Sequence, residues 1–291
     1  MMGRKQKAAS ASKEKAQASF ALRFLYTNRL GRLILKLLVR RKVSQKARKY
    51  FCSRASRIAI GPFIYLQHID MNDYESGPFA SFNDFFIRRL KPGARPLDSR
   101  PDHLISPCDA KAAAFPISAN SVWHVKGTEY SLEALLGDRD LAARYEGGVG
   151  VILRLSPDDY HRYCYLDDGH MEERHFIPGK LHTVQAIADR ERVLAVNCRE
   201  YTVLHTEHFG PVIQMEVGAI LIGQIVNYHE HHTFYRGEEK GRFEYGGSTI
   251  LLFFEKDRVQ LHPQLFTSGA AGREVKVRMG QSIGKTACSD M

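Results

Sequence analysis

Residues 243–255 read Phe243-Glu244-Tyr245-Gly246-Gly247-Ser248-Thr249-Ile250-Leu251-Leu252-Phe253-Phe254-Glu255. A β-prone stretch, two glycines, a Ser-Thr pair and a continuous apolar run follow one another. Taken alone, a Gly-Gly pair between β-prone segments signals a hairpin turn. The competing reading is that the bond from Gly247 to Ser248 is meant to react, and the rest of the chain has to decide.

Outward from that stretch the texture is β from about residue 149. Val149–Leu155, Tyr160–Leu166, Pro211–Val217, Ala219–Asn227, Arg242–Tyr245 and Thr249–Glu255 are short strand-like runs bounded by Gly, Pro or acidic turns. Upstream the signals are helical. Residues 53–70 form one element, and Ser81-Phe82-Asn83-Asp84 fits a capping box that opens a helix through Leu90. Ser131 to Gly137 has a capping serine and a terminating glycine. Strands and helices do not alternate regularly, which argues against a Rossmann-type parallel sheet. No repeat of solenoid length occurs. The expected fold class is α+β: an N-terminal helical membrane-associating region followed by a β-rich catalytic core. The expected organisation is a disordered basic tail over 1–19, the helical region over 20–80 and the core over 81–291.

Charge divides the chain the same way. Residues 1–60 hold 17 Lys/Arg and one acid, Glu14, while the remainder has 25 basic and 31 acidic residues. Such an arm suits a polyanion. Leu30, Leu33, Ile34, Leu37 and Leu38 recur at helical spacing, with Arg32, Lys36, Arg40 and Arg41 punctuating the segment. The charges break the apolar run short of the ~20 residues that span a bilayer. A basic amphipathic helix of this kind lies in a membrane interface, or packs on its own domain with a solvated basic face. Nucleic acid is not expected, because the aromatics of the arm form no interleaved stacking set. Five scattered cysteines without a CxxC pair point away from a disulfide framework or zinc ribbon and toward a reducing compartment.

Several clusters could carry chemistry. Asp109 follows Ser106-Pro107-Cys108 in a turn, where an aspartate commonly accepts backbone hydrogen bonds. Asp159-Tyr160-His161-Arg162-Tyr163-Cys164-Tyr165 packs polar groups into a strand-like segment, which is costly to bury without partners. On a strand, His229 and His231 of Tyr228-His229-Glu230-His231-His232 would share a face, but no third ligand follows at metal-site spacing. A solvated loop is the simpler reading. Lys126-Gly127-Thr128 lacks the upstream glycine of a phosphate-binding loop.

Together the segments resemble the pyruvoyl-dependent phosphatidylserine decarboxylases of prokaryotic type. The markers run in order: Ser81-Phe82-Asn83-Asp84-Phe85-Phe86 with Arg88 and Arg95-Pro96; Ser106-Pro107-Cys108-Asp109; Val125-Lys126-Gly127 with Tyr130-Ser131-Leu132; Asp159-Tyr160-His161-Arg162; Phe209-Gly210 with Val217-Gly218-Ala219 and Gly223; and Gly246-Gly247-Ser248-Thr249. The resemblance implies that Ser248 Oγ attacks the Gly247 carbonyl and turns the amide into an ester. β-Elimination then leaves chains 1–247 and 248–291, and hydrolysis of the dehydroalanine gives a pyruvoyl group and ammonia. That covalent pyruvoyl group is the implied cofactor, with no metal and no pyridoxal phosphate. The implied reaction decarboxylates phosphatidylserine to phosphatidylethanolamine through a Schiff base on the pyruvoyl ketone.

By the same resemblance Asp109 orients a histidine that activates Ser248, and His161 serves the decarboxylation step, so that losing His161 should harm turnover more than cleavage. The family motif carries a second histidine where this chain has Cys164. Three readings follow. Cys164 acts as the base, which needs a depressed pKa; His161 or His170 substitutes; or cleavage fails and the chain only binds membranes. A serine hydrolase using Asp109, His161 and Ser248 is a further rival, although Gly-Gly-Ser-Thr is not the elbow such enzymes use. The implied partners are phosphatidylserine and an anionic surface contacted through Arg32, Leu33, Lys36, Leu37, Arg40 and Arg41. The implied location is peripheral, on the cytoplasmic face of the cell membrane, and a homodimer is open.

Overall fold

The run Ser248–Phe254 is a strand, and the fold is built around it. All seven of its residues are buried. Ile250, Leu252 and Phe254 face one side, and Leu251 and Phe253 the other. Both faces are therefore covered, which explains a continuous apolar run in place of alternation. Each fully buried side chain of this size stabilises by about 1.5–3 kcal/mol. A computed structural model describes residues 28, 31, 41–118, 122–125, 128–179, 193–218, 224–244, 248–270 and 274–287.

The strand sits inside an eight-stranded sheet. In order across the sheet the strands are His232–Phe234, Gly169–Ile177, Arg199–Thr206, Gly210–Val217, Ser248–Phe254, Val149–Leu155, Ala110–Pro116 and Val275–Val277. Every pairing is antiparallel. The register pairs Ser248 with Leu155 and Thr249 with Val217.

The strand before the glycines does not pair with the strand after them. Glu239–Phe243 lies between Ile225–Asn227 and Arg162–Cys164 in a separate three-stranded sheet. The hairpin suggested by Gly246-Gly247 is therefore absent: the chain passes from one sheet to another at this point. Tyr245, Gly246 and Gly247 themselves lie outside the described residues.

Two layers cover the large sheet. Its Ile250 face packs on that small sheet and on a second one, ordered His103–Ile105, Ser282–Thr286, Val259–Leu261. Its Leu251 face packs on the helices Leu132–Leu136 and Arg139–Ala143. The first of these helices is capped as its sequence specifies. Ser131 Oγ accepts the Ala134 N–H, and Gly137 closes the helix at φ 68°.

The N-terminal elements form a third, aromatic cluster. A 3-10 turn over Arg54–Ala59 leads into a helix over Ile60–Gln67, and Phe82–Phe86 forms a short helix capped by Ser81. This last helix ends earlier than the expected Leu90. Phe63 meets Phe82 edge-on at 5.0 Å, and the cluster extends through Tyr74 to Tyr160 at 6.2 Å. It thereby buttresses the turn that carries His161. Ahead of it runs the helix Arg41–Phe51, in which Arg48 pairs with Glu244 at 3.1 Å. The proposed tail 1–19 and most of the basic amphipathic segment lie outside the described residues.

The Ile250 face also buries a polar network. Lys240 Nζ lies 2.9 Å from Glu216 Oε1 and donates to Asn227 Oδ1 at 3.0 Å. Asn227 Nδ2 donates to Glu200 Oε1 at 2.7 Å, and Gln214 Nε2 donates to Glu216 at 3.1 Å. Burial pushes the Glu216 carboxyl up, and Lys240 opposes that shift. Removing one charge leaves the other buried and unpaired. Lys240→Met is thus expected to cost about 3–5 kcal/mol, with part recovered on adding Glu216→Gln. Urea denaturation of both variants beside the parent checks this, and equal losses in the single and double variants would show the pair to be uncoupled.

Candidate active site

Ser248 is the first residue of the central strand and is fully buried. The two-residue period of the strand puts its side chain on the face of Ile250 and Leu252. Its Oγ has no hydrogen-bond partner. Buried hydroxyls nearly always have one, so an orphan calls for an explanation. Thr249 Oγ1 shares that condition.

The neighbouring strand delivers the histidine. Val149–Leu155 ends opposite Ser248, and the chain then turns through residues 156–160 to His161. Asp159 Oδ2 accepts the Ser156 N–H at 2.7 Å and fixes the turn. The His161 carbonyl in turn accepts the Phe243 N–H at 2.8 Å. The paths 155–161 and 243–248 are therefore joined at both ends, Leu155 to Ser248 and His161 to Phe243, in one closed loop of backbone.

His161 is also fully buried. Its Nδ1 lies 2.9 Å from the Asp159 carbonyl. A carbonyl only accepts, so Nδ1 carries the hydrogen and Nε2 the lone pair. Nε2 has no partner. Burial, with help from Arg88, pushes the imidazole pKa down to about 3 against the pull of the Asp159 carbonyl. The ring is neutral at physiological pH, with its basic nitrogen free.

Three residues without an assigned chemical role in the sequence reading, Phe86, Arg88 and Asp159, surround His161. The Phe86 ring lies 4.0 Å from the His161 ring, at 38°. Arg88 is buried with its guanidinium 4.1 Å from the Tyr74 centroid, and Nη2 donates to the carbonyls of Asp158 at 3.0 Å and Asp159 at 3.3 Å. Its Nε and Nη1 have no partner. Burial pushes the Asp159 carboxyl up to about 6. The available signal was an arginine inside the aromatic segment Phe82–Phe86 onward, a position where an unpaired cation is costly.

The other expected residues are distributed unequally. Asp109 precedes Ala110–Pro116, two strands from Ser248 and at the same end of the sheet. Its carboxylate is held by Arg95 Nε at 2.9 Å, by Arg95 Nη2 at 2.6 Å and by the Met279 N–H at 2.8 Å. These partners, and not a histidine, occupy it, because the guanidinium fork matches both carboxylate oxygens. Cys164 lies on the adjoining small sheet, its N–H donating to the Pro107 carbonyl at 2.9 Å. Burial pushes its thiol up to about 12, the opposite of what a thiolate base needs.

His170 is exposed and stacks on His205 at 4.8 Å. Its strand is three places from that of Ser248, about 14 Å at the usual strand spacing. Its partner His205 pairs with Pro211, at the far end of the strand from Val217. The fold therefore does not bring His170 to Ser248. Gly247, Arg32, Leu33, Lys36, Leu37 and Arg40 lie outside the described residues, and Arg41 is described only in its backbone.

The depressed His161 pKa has a consequence for stability. The unfolded chain takes up a proton near pH 6.5, whereas the folded chain resists until about pH 3. The stability linked to this group is thus present above pH 6.5 and lost as the pH falls toward 3. Melting midpoints across that window should fall in the parent and fall less steeply in His161→Gln; parallel profiles would rule the linkage out.

The family model described as phosphatidylserine decarboxylase matches residues 82–285. The phosphatidylserine decarboxylase proenzyme 2 of Clostridium acetobutylicum is 42% identical over 275 residues, covering 94% of each chain. The phosphatidylserine decarboxylase proenzyme of Ruminiclostridium cellulolyticum is 41% identical over 270 residues, covering 90% of each, and that of Desulfitobacterium hafniense is 36% identical over 278, covering 93% of each. The matched region contains the strand of Ser248, the turn of His161 and the aromatic helix behind them, and on this likeness the chain belongs to the phosphatidylserine decarboxylase family.

Proposed function

We propose that this protein is made as a proenzyme, cleaves itself before Ser248 and then decarboxylates phosphatidylserine to phosphatidylethanolamine. The observation that carries the reading is the pair of orphaned buried atoms, Ser248 Oγ and His161 Nε2, carried on one closed backbone loop. A hydroxyl needs a base to become a nucleophile at neutral pH. His161 presents a free lone pair, while the Cys164 thiol holds its proton and His170 is remote. His161 is accordingly the group that takes the Ser248 proton as Oγ attacks the preceding carbonyl. The low pKa makes that uptake transient, coupled to the attack itself.

Ser248 would become the covalent pyruvoyl group, whose carbonyl supplies an electron sink for the loss of CO2. The surrounding residues suit such a group. Phe86 and the buried sheet exclude water, Arg88 fixes the turn that orients His161, and His161 Nε2 is placed to hand a proton back to the product. Asp109, pinned by Arg95, secures the end of the sheet on which these groups stand.

The substrate is a bilayer lipid, and a surface feature fits that demand. Ile58, Tyr65 and Leu66 are 80%, 78% and 68% exposed on the helical elements 54–67, beside exposed Arg54 and Arg57. An apolar stripe edged by cations suits insertion at an anionic interface. Among the described residues no helix is long and apolar enough to cross a membrane. Attachment through this stripe and the preceding basic segment, on the cytoplasmic face, accounts for both features.

Denaturing intact-mass analysis tests the maturation. The parent should separate into 1–247 and 248–291, with a hydrazide adduct on the smaller piece. Ser248→Ala should remain a single chain and Cys164→Ala should still cleave; His161→Ala should also remain a single chain, in place of the milder effect on cleavage that the family resemblance alone implies. Cleavage in Ser248→Ala would remove the assignment, and cleavage in His161→Ala would remove the base. For the surface, Ile58→Asp with Leu66→Asp should lower sedimentation with phosphatidylserine-containing vesicles by roughly tenfold or more, each buried aliphatic side chain contributing about 1.5–3 kcal/mol. Undiminished sedimentation would place the contact elsewhere.

A further inference from the structure

The stretch Tyr228-His229-Glu230-His231-His232 does not behave as a strand. His231 adopts a left-handed backbone at φ 47°, which breaks the alternation before the strand His232–Phe234. His229 and His232 come together instead of His229 and His231. Their rings stack with centroids 4.0 Å apart and 19° between planes. The chain then returns and presents Glu238, immediately before Glu239–Phe243. Glu238 Oε1 lies 2.8 Å from His232 Nε2 and 3.9 Å from His229 Nε2. One donor atom from each of the three residues lies within 4.8 Å of the others.

The neighbours orient these donors. The Tyr165 hydroxyl lies 3.2 Å from both Met171 Sδ and His229 Nδ1. The contact holds His229 by Nδ1, with Nε2 the nitrogen turned toward Glu238. Glu238 Oε2 accepts the Tyr235 N–H at 3.0 Å, which leaves Oε1 for the imidazoles. Histidine ligands of metals typically have their second nitrogen held this way.

We propose that His229, His232 and Glu238 bind one divalent ion of the zinc class, with the remaining position open to water. Two imidazoles and a carboxylate form a recognised ligand set for such ions at bond lengths of about 2.0–2.2 Å. Closing to that distance needs only rotation of three side chains that are 28%, 31% and 29% exposed. The ion would clamp the two arms of residues 229–238. The second arm continues through Glu239–Phe243 toward Ser248, so the clamp would steady the segment that carries the reactive serine.

The test uses the untagged full-length chain, stripped with chelator and titrated with Zn2+ alone by calorimetry. One equivalent should bind, and Co2+ should give the intense visible absorption of a tetrahedral site. His232→Ala and Glu238→Gln should each weaken Zn2+ binding at least about tenfold, at or beyond the lower end of losses seen for partners of metal ligands. His231→Asn keeps the left-handed turn and should bind as the parent does. Absence of saturable binding and of the Co2+ band in the parent would overturn the site without reference to any variant. Unchanged affinity in His229→Ala/His232→Ala, or an equal loss in His231→Asn, would overturn the ligand assignment.

Discussion

The site depends on a closed loop of backbone. Ser248 is paired with Leu155 at one point, and the Phe243 N–H bonds the His161 carbonyl at another. Neither segment can slide without breaking both a sheet pairing and a buried hydrogen bond. Register is strongly specified where side chains must face the core, because a one-residue slip turns every side chain over. In this strand a slip would expose Ile250, Leu252 and Phe254 to the wrong layer and move Ser248 off the face it shares with them. The apolar core of the sheet thus aims a polar atom that contributes nothing to the core itself.

The treatment of buried polar groups differs sharply across the molecule. Around Lys240 and Glu216 a charged pair is surrounded by amide partners. Arg199 reaches four backbone carbonyls. Ser248 Oγ and His161 Nε2 stay without partners. Unmade hydrogen bonds in low dielectric are costly. Gln214 Oε1, Thr202 Oγ1 and Thr249 Oγ1 share that condition, so what sets the two atoms apart is their chemistry, a nucleophile and a base, which on the proposed reading await a partner that forms only during reaction.

Much of this was legible because local rules act on local sequence. The Ser131 and Ser81 caps, the Val149–Leu155 strand and the central apolar run appear close to where their patterns put them. Ala110–Pro116 escaped because Ala and Lys have low strand propensity, and pairing on both sides overrides it. Gly169–Ile177 escaped because its half-exposed face carries charges. The Gly-Gly signal was misleading for another reason: turn chemistry says that the chain changes direction, but not which strand becomes the neighbour. Ser248, His161 and Asp109 were singled out by order along the chain, whereas Arg88, Phe86 and Glu238 are brought to their places only by tertiary contacts. The Arg95 fork around Asp109 likewise joins residues 14 apart that no short motif connects.

The position of the central strand also governs what happens to the molecule after its backbone is broken. Ser248–Phe254 is hydrogen-bonded along both edges, and Val259–Leu261, Val275–Val277 and Ser282–Thr286 are each woven into sheets with strands from the longer piece or with one another. A cut before Ser248 leaves the two pieces interlocked, so the native assembly persists without ever having been formed by collision. Refolding from denaturant is then a second-order process between unequal fragments, where it had been first-order within one chain. The mature protein would owe its persistence to the height of its unfolding barrier, and its lifetime would be a kinetic inheritance from the uncut precursor.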